Sequence, residues 1–167
     1  VALKMINVGG GLGIDYDNPS STPDFSEYFS LISKLVELRP GQELHSEPGR
    51  SIVGQCGTLI SKVLYVKKGS KTQFAIIDAG MNDLIRPALY QAHHKIENLT
   101  SDGPSSNYDV VGPVCESADV FGKFIELPQT QRGDIIAIRS AGAYGEAMAS
   151  RYNLRDLPGV VFSDEIQ

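Results

Sequence analysis

The chain opens on a short apolar run, residues 3–8, that breaks into Gly9-Gly10-Gly11-Leu12-Gly13. That pattern predicts a strand ending in a glycine-rich turn. Phe25, Tyr28, Phe29, Ile32, Leu35 and Val36 then recur at intervals of three and four, which puts them on one helical face. Thr22-Pro23-Asp24 starts this helix and Pro40-Gly41 ends it. A second short strand, residues 43–46, delivers the turn Glu47-Pro48-Gly49-Arg50. Residues 1–57 thus read strand, glycine loop, helix, strand, loop, an α/β unit that belongs in a parallel sheet or a (β/α) barrel.

From about residue 58 the rhythm changes. Residues 59–66 alternate and are rich in β-branched side chains, residues 67–70 read as a turn, and residues 74–78, 108–114 and 135–139 read as further strands. Gly69, Gly103-Pro104 and Arg132-Gly133-Asp134 punctuate them. Residues 143–152 form the one helical stretch expected in this half. Residues 58–167 are therefore read as a second, mostly antiparallel β domain.

Composition narrows the classes of function. Apolar residues make up 41% of the 167 and charged residues 21%, which supports a packed core. A net charge of −5 argues against nucleic acid or an anionic membrane as the main partner. No apolar run approaches the roughly 20 residues of a membrane helix. Cys56 and Cys115 make no disulfide framework, so a reducing cytoplasm is the expected compartment. His45, His93 and His94 show no zinc-type spacing, and no metal is expected. The chain starts inside a strand without an initiator methionine, which leads us to expect a fragment of something longer.

Five stretches carry candidate chemistry. Gly9 and Gly11 are followed by Ile14 where a dinucleotide-binding pattern would have its third glycine, so that motif is incomplete. Glu47-Pro48-Gly49-Arg50 places an acid, a stiff turn, a bare backbone and a fork-shaped cation together. It reads either as an anion cradle or as an exposed turn. Arg86, between Ile85 and Pro87, is either a surface arginine or one aimed at a substrate carboxylate. Cys115, followed by Glu116, is either an inert buried thiol or a proton donor or nucleophile. Tyr144, at a helix start, is either packed or in contact with a phosphate.

Taken in order, Gly9-Gly-Gly-Leu-Gly13, Glu47-Pro-Gly-Arg50, Asp78-Ala-Gly80 with Arg86-Pro-Ala-Leu-Tyr90, Gly112-Pro-Val-Cys-Glu-Ser117, and Ala141-Gly-Ala-Tyr144 with Met148-Ala-Ser150 span nearly the whole chain. This set resembles the pyridoxal-phosphate-dependent decarboxylases with an alanine-racemase-like fold, most of all the members acting on diaminopimelate. The resemblance implies the C-terminal part of a (β/α)8 barrel followed by the β domain. It implies pyridoxal 5'-phosphate held by Gly10, Gly11, Gly49, Arg50 and Tyr144, with Glu47 facing the pyridine nitrogen. Arg50, Arg86, Tyr90, Glu116 and Tyr144 would bind the amino-acid substrate, with Glu116 on its distal ammonium. Cys115 would return a proton to the carbon that loses its carboxylate. A homodimer with shared sites is implied, with the Cys115-Glu116 stretch reaching the partner's site. The family's Schiff-base lysine would precede the residues present, leaving this chain inactive alone. Relatives acting on ornithine, arginine or carboxynorspermidine, and a non-catalytic protein of the same fold, are the competing readings. Asp is usual after the cysteine in the ornithine-type enzymes, so Glu116 favours diaminopimelate.

Overall fold

A computed structural model describes residues 3–165. Its first unit is a small parallel pair. Strand β1 (Met5–Asn7) lies beside β2 (Glu43–His45), with Ile6 opposite Leu44. Helix α1 (Phe25–Leu35) makes the crossover between them. Asp24 caps α1, its carboxylate accepting from the Glu27 amide at 2.8 Å. None of the residues of α1 is buried, and Leu31 and Leu35 are exposed. The helix stops at Leu35, five residues short of Pro40, because Val36 turns extended. The Gln42 side chain accepts from the Arg39 amide (2.8 Å) and donates to the Leu3 carbonyl (2.8 Å), so the intervening residues close a turn that leads back to β1. The four-residue α2 (Arg50–Val53) follows β2.

The second unit is a six-stranded sheet. It contains β3 (Leu59–Lys68), β4 (Gln73–Ile77), β5 (Ile96–Asn98), β6 (Ser105–Val111), β7 (Val120–Pro128) and β8 (Ile135–Ile138), in the order β5-β8-β3-β4-β6-β7. All neighbours are antiparallel except β4 and β6, which run parallel. A Cβ on Gly122 of β7 would come within 3.2 Å of Ile96 of β5, so the two edge strands approach each other and the sheet curls towards closure. Inside it lie Val63, Ile77, Tyr108, Val110, Leu127, Ile136 and Ile138, all nearly inaccessible. Tyr108 buries its ring here and satisfies its hydroxyl by accepting from the Thr130 amide at 3.0 Å.

Several boundaries differ from the sequence reading. β3 continues to Lys68, and the turn comes at residues 69–72, closed by Gly69 donating to the Thr72 carbonyl. β6 sits three residues earlier than expected, and β5 and β7 were not anticipated. Among the described residues the second half holds two α-helices rather than one, α3 (Arg86–Tyr90) and α4 (Gly145–Met148). α4 ends early because Ala149 is extended and the Ser150 amide donates to the Asn82 carbonyl, drawing the chain onto the 80–84 loop.

The units are joined by two glycines. The Gly142 amide donates to the Gly54 carbonyl (3.0 Å) and the Ala141 amide to the Gly57 carbonyl (2.8 Å). A Cβ on Gly57 would lie 2.5 Å from the Gly142 Cα, and one on Gly142 would lie 2.0 Å from the Val53 carbonyl oxygen. Only bare backbone allows this approach. It brings the loops after β1 and β2 against α3 and α4.

Candidate active site

Beyond its strand, β1 continues to track β2. The Val8 amide donates to the His45 carbonyl (3.0 Å) and the Glu47 amide to the Gly9 carbonyl (2.7 Å). The two loops therefore leave side by side from the C-terminal ends of parallel strands, where such folds place ligands. Gly10 must be glycine, since a Cβ there would lie 2.6 Å from the Glu47 carbonyl oxygen. Gly11 has φ +109°, a region that side chains disfavour. At Gly11 and Gly49 an added Cβ meets nothing within 4 Å, so bare backbone faces open space. Tyr28 of α1 fastens the glycine loop by donating from its hydroxyl to the Gly10 carbonyl at 2.7 Å.

These loops form one wall of a cavity of about 780 Å³, within the range of about 300–1,000 Å³ common for small-molecule sites. Gly10, Gly11, Glu47, Gly49, Arg50, Arg86, Tyr90 and Tyr144 all line it. The chain thus brings together, from two units, every candidate binding residue except Glu116. Asn7, at the end of β1, aims the acid: its amide donates to the Glu47 carboxylate at 2.7 Å. Its own oxygen accepts from the Gly9 amide at 2.7 Å, which fixes the side chain's orientation. Tyr144 adopts a left-handed backbone (φ 65°) at the head of α4, a conformation costly for a non-glycine residue and found mostly at sites where it serves a purpose.

Sequence reading missed Asn7, Tyr16, His93 and His94. Tyr16 and His93 also line the cavity. His94 lies behind Arg86, with its Nε2 3.1 Å from the Arg86 guanidinium. The signal was present in the His93-His94 pair three and four positions after Tyr90, whose spacing from cysteines speaks only to zinc.

Cys115 and Glu116 stand apart. They sit exposed on the loop between β6 and β7, outside the cavity. Cys115 is thus solvent-facing and not a buried thiol. Buried Asp119 holds that loop, accepting from the Val114 amide (2.6 Å) and the Met81 amide (2.7 Å). Burial pushes the Asp119 carboxyl above its usual value, against the two amides that favour the charged form. Tyr152 donates its hydroxyl to the Glu116 carboxylate, and that bond raises the tyrosine's pKa. Among the described residues no group of His, Cys, Asp and Glu side chains is arranged to hold a metal ion.

Taken chemically, the cavity offers bare backbone, two arginines for anions, an oriented carboxylate for a protonated ring nitrogen, and tyrosines for a flat ligand. The profile of the family described as "Pyridoxal-dependent decarboxylase, C-terminal sheet domain" matches residues 15–142. The chain is 64% identical to diaminopimelate decarboxylase of Bacteroides thetaiotaomicron over 168 residues, 99% of this chain and 44% of the relative. It is similar to the crystal structure of diaminopimelate decarboxylase from Helicobacter pylori complexed with L-lysine, with a TM-score of 0.82 and 46% identity over 92% of this chain and 38% of that one. The enzyme from M. jannaschi gives a TM-score of 0.83 at 38% identity, over 95% of this chain and 37% of its own. The chain spans less than half the length of these relatives. It belongs to the pyridoxal-dependent decarboxylases and carries their C-terminal sheet domain.

Proposed function

We propose that the protein of which this chain forms part is a pyridoxal-phosphate-dependent carboxy-lyase that converts meso-diaminopimelate to L-lysine, a step of lysine biosynthesis. The observation that carries this reading is the meeting of Gly10, Gly11, Glu47, Gly49, Arg50, Arg86, Tyr90 and Tyr144 around one cavity. Those residues fit the cofactor. Gly10, Gly11, Gly49, Arg50 and Tyr144 would hold the phosphate, and Glu47, aimed by Asn7, would keep the ring nitrogen protonated. Pyridoxal phosphate supplies an electron sink for the pair left when carbon dioxide departs.

The remaining residues bind and move protons. Arg50 and Arg86 offer forks for substrate carboxylates, and Tyr90 lies next to Arg86 at the cavity wall. Glu116 receives the distal ammonium, and Cys115 delivers a proton to the carbon that loses its carboxylate. Because both lie outside this cavity, a homodimer in which each copy offers its loop to the other's site accounts for their place. Diaminopimelate has a carboxylate and an ammonium at its distal end, whereas ornithine has only the amine. A site built with both charges would leave one unpaired on ornithine, which is costly in a pocket.

No lysine lines the cavity among the described residues. We place the lysine that anchors the cofactor in the portion of the relatives outside the match, together with the remainder of a (β/α)8 barrel. Residues 1–57 contribute the barrel's last pieces and residues 58–167 the separate β domain.

The test is release of carbon dioxide and L-lysine by the full-length protein supplied with pyridoxal phosphate. Turnover of meso-diaminopimelate, with ornithine and arginine poor substrates and poor competitors, supports the reading. Preference for ornithine, or no turnover of any of the three, overturns it. The 167-residue chain alone is expected to yield no lysine trapped by borohydride.

A further inference from the structure

Arg86 is buried, 6% exposed, yet it lines the cavity. Among the described residues it makes no ion pair. A buried guanidinium without an acid is expensive unless neutral acceptors hold it and an anion arrives. The neutral acceptors are present. The Arg86 Nη1 donates one hydrogen to the Tyr16 hydroxyl at 2.9 Å and the other to His94 Nε2 at 3.1 Å. The Tyr16 ring also lies 5.5 Å from the guanidinium carbon, within cation–π range. Both hydrogens of Nη1 are thereby used, and the Nε and Nη2 hydrogens remain as a two-pronged edge.

His94 can play this part in only one protonation state. Its Nδ1 is 2.9 Å from the Arg139 carbonyl, which can only accept, so Nδ1 carries hydrogen. Its Nε2 faces a guanidinium, which can only donate, so Nε2 is bare. The ring is 1% exposed and meets Tyr16 edge-on, with centroids 5.1 Å apart. Burial and the neighbouring Arg86 charge both lower its pKa, in keeping with a neutral ring.

We propose that His94, as the neutral Nδ1–H tautomer, is the positioning residue for Arg86, and that together with Tyr16 it turns the free Nε–Nη2 edge of the guanidinium into the cavity to grip a carboxylate of the substrate. The chain of contacts runs from the Arg139 backbone through His94 to Arg86, so the fork is set by the sheet itself. This deepens the function proposed above and rests on it.

The probe is pimelate, a seven-carbon dicarboxylate, titrated calorimetrically into the full-length protein, with ¹⁵N NMR of the histidine rings in the free protein. His94→Leu and Tyr16→Phe remove one acceptor each, and His94→Gln restores an acceptor near the Nε2 position. The expected result is affinity weakened about tenfold or more in His94→Leu and Tyr16→Phe, and kept within about threefold in His94→Gln. The spectrum is expected to show Nδ1 protonated and Nε2 bare. Should His94→Leu fail to fold, Tyr16→Phe, His94→Gln and the spectrum decide. Wild-type binding with unchanged affinity in the variants, or an Nε2–H ring, overturns the positioning role while leaving the proposed function standing. No binding of pimelate by the wild type overturns both.

Discussion

Asn7 sits between two tasks, accepting from the glycine loop and donating to Glu47. Neither bond depends on the six-stranded sheet, so substitutions there separate chemistry from folding. Glu47→Ala is expected to lower kcat of the full-length enzyme by about 100-fold or more, the scale of losing one preorganised electrostatic group. Asn7→Ala should fall between it and the wild type, because the acid remains but is no longer aimed. Steady-state kinetics alongside thermal unfolding check this; an equal fall in stability and rate would refute it. His94 gives a prediction in pH. Its pKa is lowered in the folded state, so protons bind the unfolded chain more readily. The stability its neutral form confers is complete above the ordinary histidine value of about 6.5 and is lost as the pH falls below it. Urea unfolding between pH 7 and 5 should show stability declining with acid, and a flatter profile in His94→Gln. At this scale the lining of the candidate cavity was largely legible, because Glu47, Arg50 and Tyr144 carry chemistry that their neighbours do not mask. Asn7 and His94 were not, since each acts through a partner more than thirty positions or a full hydrogen-bond chain away.

Among the elements, legibility followed length and periodicity. Helix α1 was visible because its apolar residues repeat over eleven positions and Asp24 caps it. Its end was misplaced because Val36 leaves the helix before any breaker residue appears. Strand β5 is three residues long and gains its place from pairing with β8, a contact that local sequence does not encode. α3 was hidden by Pro87, which reads as a breaker but here occupies the first turn, where its missing amide costs nothing. The junction between the units makes a sharper demand. Gly142→Ala places a Cβ 2.0 Å from the Val53 carbonyl oxygen, with rigid backbone on both sides. Backbone shifts of this kind cost about 1–3 kcal/mol. The substitution should lower the unfolding free energy by that amount and weaken cofactor affinity together, since the same contact aligns Arg50 with Tyr144. Gly159→Ala, where nothing lies within 4 Å, is the control expected to change neither.

At the scale of the whole molecule, the sequence suggested two units of different rhythm, and the described residues hold a two-stranded parallel pair and a six-stranded sheet. What pattern reading does not supply is how the units meet. The cavity exists because loops after β1 and β2 dock beside α3 and α4, and two glycines far apart in the chain allow the close approach there. It also leaves Cys115 and Glu116 facing away, on a loop stiffened by Asp119 and Tyr152. The proposed function requires cofactor and amino acid to meet in this cavity. A crystal structure of the full-length protein with pyridoxal phosphate and L-lysine tests it most directly. The expected structure has phosphate against Gly11 and Gly49, the Glu47 carboxylate at the ring nitrogen, a lysine carboxylate on the Nε–Nη2 edge of Arg86, and Cys115 and Glu116 supplied by the other copy. Cofactor density elsewhere, or a ring nitrogen far from Glu47, would contradict it.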